Sequence, residues 1–160
     1  MISKFSLPSG HWHGRGSYLE KGESLTTPFE CSFDVVTESV GAHIKGTMVR
    51  KADGSTRDFG VWITPNDTGT YDVAVQFDAA RVAGTAKLDS YPNLGMLWSQ
   101  GGDLHVAFAL FELRSSRGLR GFCKTAERLL SWELAIEETR RAAVRDARNV
   151  VSIDPRNRRR

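Results

Sequence analysis

The chain has 160 residues, 40% of them hydrophobic and 26% charged, with a net charge of +3. That length and mix suit one globular domain with a real core; they exclude a disordered chain, a disulfide-framed miniprotein and, since no apolar run nears the roughly 18 residues required, a membrane-spanning helix. Residues 140–160 hold eight arginines against Asp146 and Asp154, a balance of +6, whereas residues 1–139 carry 14 basic and 17 acidic side chains, a balance of −3; the body therefore has no basic excess to draw nucleic acid.

The start, Met1-Ile2-Ser3-Lys4-Phe5, lacks the apolar stretch of a secretory signal. Cys31 and Cys123 fall in separate predicted strands and read as two reduced, partly buried thiols. The expectation is a cytoplasmic protein.

The first predicted strand, 10–19, carries Gly10-His11-Trp12-His13-Gly14-Arg15-Gly16 and ends at the turn Glu20-Lys21-Gly22-Glu23. Phe29, Cys31, Phe33 and Val35 then alternate with Glu30, Ser32 and Asp34, the period of a strand buried on one face. Over 41–50, Ala42, Ile44 and Met48 oppose His43, Lys45 and Thr47. Ala52-Asp53-Gly54-Ser55 reads as a hairpin turn, because Asp-Gly tolerates the positive φ that tight turns require. Strands over 59–63 and 71–77 flank the turn cluster Pro65-Asn66-Asp67-Thr68-Gly69, and Tyr71, Val73, Val75 and Phe77 share one face. Segments 82–88 and 95–100 flank Tyr91-Pro92-Asn93. Segment 104–111 is apolar on both faces, so its outer face calls for a cover, from a C-terminal helix or from a second subunit of a homodimer. Segments 119–125 and 129–136 bring the total to about ten strands.

Strands at roughly 8–12-residue spacing, with no helical period between them, point to an all-β fold. Short connections favour an antiparallel up-and-down meander, and closure into a barrel removes its edges. Helix formers over 137–148, with Ala143, Val144 and Ala147 on one face, predict a C-terminal helix. The expected organisation is one barrel domain over 1–154, helix included, followed by a basic flexible tail over 155–160.

Gly10-x-Trp12 at the head of a strand resembles the opening of calycin-type barrels such as lipocalins, in which the indole closes the base. The extended Gly10-x-Trp12-x-Gly14-x-Gly16 is similar to the opening of nitrobindin-like proteins, ten-stranded barrels that bind haem. The resemblance implies the barrel. It does not bring the haem site: those proteins ligate iron with a histidine near the C-terminus, whereas the last histidine here is His105. No cofactor is expected.

A barrel of this size can enclose one small ligand. The leading expectation is an apolar or amphipathic molecule held by Trp12, Trp62, Tyr71, Tyr91, Trp98 and Phe108, with Arg120 near the turn Ser115-Ser116-Arg117-Gly118 placed to meet a carboxylate at the mouth. Trp62 and Trp98 stand out because glycines flank their positions. If instead the polar faces line the cavity, His43, Lys45, His105 and Glu112 converge there, and a histidine beside a carboxylate could serve a cofactor-free isomerase, lyase or cyclase as general base. A third reading makes the arginine-rich tail a dock for an acidic partner or RNA. His11 and His13 share a face at i, i+2 and would bind metal only if Glu20, His43 or His105 supplied a third ligand; the simpler expectation is two strand histidines beside a core tryptophan, with no metal.

Overall fold

A computed structural model describes residues 7–139. Ten strands follow one another: β1 (Gly10–Glu20), β2 (Thr27–Thr37), β3 (Ala42–Arg50), β4 (Thr56–Pro65), β5 (Tyr71–Phe77), β6 (Ala80–Lys87), β7 (Asn93–Trp98), β8 (His105–Glu112), β9 (Arg117–Lys124) and β10 (Leu129–Glu138). Each pairs antiparallel with the next, and β1 also pairs with β10, so the sheet is a closed barrel in simple meander order. Closure leaves no strand edge unpaired.

The alternation read from β2 and β3 holds around the barrel. Cross-strand register carries one inward set from Trp12 to Phe33 and on to Ile136 by way of Gly14. Phe29, Cys31, Phe33 and Val35 are buried, whereas Glu30, Ser32 and Asp34 lie on the outer face. Apolar residues dominate the inner face and charged residues the outer, on which Trp62, Leu94, Met96, Trp98 and Phe122 also stand exposed. Among the described residues no helix is long and apolar enough to cross a membrane.

The motif glycines make room at the β1 seam. A Cβ on Gly16 would sit 2.1 Å from the Glu133 carbonyl oxygen and 3.0 Å from the Phe29 ring. Only glycine lets β1 lie this close to both neighbours.

The C-terminal expectation changes. Glu137 and Glu138 belong to β10, not to a helix: they pair with His13 and Trp12, and completing the ladder to β1 outweighs local helix propensity. Among the described residues there is no helix, and residues 140–160, which would hold the rest of the predicted helix and the basic tail, lie outside them. The strand that reads as apolar on both faces divides by register, and its outer face adjoins the exposed Leu94, Met96 and Phe122 of β7 and β9. Register turns Val106, Phe108 and Leu110 inward. The outer face of β8 then holds Ala107, Ala109 and Phe111; Phe111 rests on Gly118, with the Arg120 guanidinium 5.8 Å from its ring centroid.

Candidate functional site

The barrel interior has two unlike halves. At one end Trp12 is 1% exposed and stacks on Phe33, centroids 6.5 Å apart. Its indole N–H donates to the Pro8 carbonyl at 3.1 Å. The Arg117 guanidinium lies 5.6 Å from its ring centroid and donates through Nε to the Tyr91 hydroxyl at 2.9 Å. Leu7, Val35, Ala86, Leu88, Asn93 and Ile136 are buried around it. This end is a packed plug, closed by residues that precede β1 and by the β6–β7 connection.

The other half is different. Met48, Phe59, Val75, Val106, Phe108 and Leu134 face inward yet are only half-buried. Two rings lie back on the wall and not toward the axis. A Cβ on Gly95 would come within 2.2 Å of the Phe108 ring, and one on Gly121 within 2.5 Å of the Trp132 indole. Glycine on the neighbouring strand thus gives each ring a seat.

Ion pairs ring that open end. Arg50 pairs with Asp53 and reaches the Tyr18 hydroxyl at 3.5 Å. Arg57 bonds Asp78 at 2.8 Å, and Arg128 bonds Glu20 at 2.5 Å. Arg128 lowers the Glu20 pKa below its ordinary value through their hydrogen bond, and Arg50 does the same for Asp53. The result is a charged rim around an apolar wall. Inside, burial pushes the Cys31 thiol up to about 11 and also raises Cys123, so neither is a ready thiolate at neutral pH; both cysteines are free.

Of the residues expected to hold a ligand, Trp12 and Tyr71 do face inward, but in the packed plug, where the Tyr71 hydroxyl donates to Asp89 at 2.7 Å. Phe108 lines the half-open part. Tyr91 sits in the β6–β7 connection, before a cis proline, and engages Arg117. Trp62, Trp98 and Arg120 lie outside. In β4 the inward set is Phe59, Val61 and Ile63, in β7 it is Asn93, Gly95 and Leu97, and Arg120 pairs with Glu133 on the outer surface at 3.4 Å. Met48, Val75 and Leu134 escape a reading by aromatic content alone; counting by twos from Trp12 through the register finds them.

The inverted barrel is overturned. Register puts His43, Lys45 and His105 outward, because their strands turn apolar neighbours inward. His43 bonds Glu38 at 3.0 Å, and His105 donates to the Gly102 carbonyl at 2.8 Å. Glu112 is exposed at the end of β8 beside the plug. His43, His105 and Glu112 do not meet, so no general base of that set stands in the interior. His11 bonds Asp34 at 2.8 Å on the outer face, and His13 lies 4.0 Å from Glu30. Glu20 is committed to Arg128, and among the described residues no three His, Cys, Asp or Glu side chains are grouped to hold a metal ion.

The closed ten-stranded antiparallel meander is compatible with the calycin-like barrel that its opening resembles. No family model matches the chain, and no curated protein is similar to it. Its class is therefore set by architecture: a single-sheet barrel, plugged at one end.

Proposed function

We propose that this protein binds a small apolar or amphipathic molecule inside the barrel, in the half opposite the Trp12 plug. The observation that carries the reading is the gradient of burial along one inward-facing set of side chains. Next to Trp12 they are sealed, whereas Met48, Phe59 and Phe108 keep accessible surface although they point inward. An apolar guest would remove that surface from water, at roughly 25 cal/mol per Å². The wall supplies most of the affinity, and the rim groups Arg50 and Tyr18 fix the orientation of a polar end. Two unpaired thiols fit a reducing compartment, the cytoplasm.

The test is a native mass spectrum of the purified full chain, followed by titration with the neutral fluorophore N-phenyl-1-naphthylamine. An organic adduct, or saturable probe binding abolished by Leu134→Trp in a protein that still folds, supports the reading. Absence of both adduct and probe binding overturns it.

A further inference from the structure

We propose that the outer face of β4–β7 is a second binding site, for the sugar rings of a neutral oligosaccharide. Register places Trp62, Ala74, Ala83 and Trp98 in one row straight across four neighbouring strands, on the outer face. At the usual strand spacing the two tryptophan Cα atoms are about 14 Å apart. The two alanines keep the floor between them low. The trough so formed has a volume of about 440 Å³, within the range of sites that hold a small ligand.

The walls are exposed and yet held. Trp62 and Trp98 are 41% and 47% exposed, surface that a chain gains nothing by leaving in water. A Cβ on Gly60 would stand 2.7 Å from the Trp62 ring, and one on Gly84 would stand 3.0 Å from the Trp98 ring. Each indole thus has a glycine seat. A seated indole loses little freedom when a ligand arrives, which favours binding.

The chemistry flanking the row narrows the occupant. On one side of the same face, cross-strand pairing continues as Thr64, Asp72 and Thr85; on the other, Gln76 pairs with Arg81. Two residues along a strand is about 7 Å, so hydrogen-bonding side chains flank the aromatic row on both sides along β5 and β6, whereas on β7 the threonine row ends in the exposed Met96. The Asp72 carboxylate is steadied by the Asn66 amide at 3.3 Å. A pyranose has the same divided character: a C–H face that lies on an indole, and a fringe of hydroxyls that need donors and acceptors. Threonine hydroxyls supply both, and the carboxylate accepts. A flat protein surface seated on the two indoles would bridge the recessed floor and leave the Thr85 hydroxyl without a partner. A compact quaternary ammonium needs ring faces within about 6 Å, which suits a narrower enclosure than two indoles with two strands between them.

The experiment presents the full chain to an array of neutral gluco-, manno-, galacto- and xylo-configured oligosaccharides of two to six sugars, then titrates the retained ones by tryptophan fluorescence. At least one is retained. Trp62→Ala and Trp98→Ala, folded by circular dichroism, each weaken it about tenfold or more, and the chamber-filling Leu134→Trp leaves it unchanged. The proposal is overturned if no sugar is retained, if retention survives both tryptophan variants, or if choline displaces the sugar. It is equally overturned if the face instead carries self-association that Trp62→Ala abolishes in sedimentation.

Discussion

A single indole decides how the barrel closes. Trp12 contributes a ring stacked on Phe33, a face for Arg117 and an N–H for the Pro8 carbonyl. Removing all three at a site that is 1% exposed leaves a cavity under the residues before β1. Trp12→Ala is expected to cost roughly 3–5 kcal/mol, the usual range for deleting a buried aromatic. Trp12→Phe keeps the stack and loses the hydrogen bond, so its excess cost should be smaller, with about 1 kcal/mol from that bond. Urea unfolding of both variants checks the ranking; equal losses would mean that the bond and not the ring closes this end. Gly16 belongs to the same seam, since the Glu133 carbonyl oxygen already occupies the space of a side chain. The spacing Gly10-x-Trp12-x-Gly14-x-Gly16 is thus a packing device, and it is visible in the sequence because close approach of strands permits no other residue type.

At the scale of elements, all ten strands and their meander order were legible in period-2 alternation and turn residues. The inward faces of β2 and β3 were equally plain. Legibility failed where one-sidedness is weak. In β4 and β7 both faces carry large apolar groups, Val61 beside Trp62 and Leu97 beside Trp98, so hydrophobicity alone does not say which points in. A one-residue choice of register flips every side chain, and only pairing with strands of unambiguous face settles it. In β8 the two-sidedness is real, since on its outer face Ala107 pairs with the exposed Met96 and Phe122. The rim ion pairs were out of reach for another reason: Glu20 and Arg128 are 108 residues apart and meet only because the ends of β1 and β10 are neighbours. That pair ties the β1–β2 turn to the β9–β10 hairpin and has a stated pH dependence. The Glu20 pKa is lower folded than unfolded, so the pair stabilises above the unfolded value and loses that contribution as pH falls through the folded one. Glu20→Gln should therefore unfold at lower urea than the wild type at pH 7, with the gap narrowing in high salt because the pair is accessible to solvent. Below about pH 4 the two curves should draw together. A gap that persists undiminished at pH 3 would show that Glu20 acts through packing and not charge.

The molecule as a whole asks whether a ten-strand barrel of this size is filled or hollow, and the halves answer differently to added volume. Ala86 and Val75 both face inward, in the neighbouring strands β6 and β5. Ala86 is 1% exposed in the packed half, whereas Val75 is half-buried in the other. Enlarging a well-packed site forces side chains off their rotamers and costs roughly 1–3 kcal/mol. Ala86→Leu should pay that in full. On the proposed reading Val75→Phe extends into the guest chamber, where the added ring gains contact at little strain, so its cost should stay below about 1 kcal/mol or become a gain. The same ring occupies room that a guest would need, so Val75→Phe should weaken N-phenyl-1-naphthylamine binding while Ala86→Leu leaves the affinity of its folded fraction alone. Two measurements on each variant, a urea midpoint and a probe titration, separate stability from occupancy. If both enlargements destabilise alike, the interior is packed throughout and the inward-facing set serves only as core; if Val75→Phe is tolerated and the probe is expelled, the half opposite Trp12 is space kept for a guest.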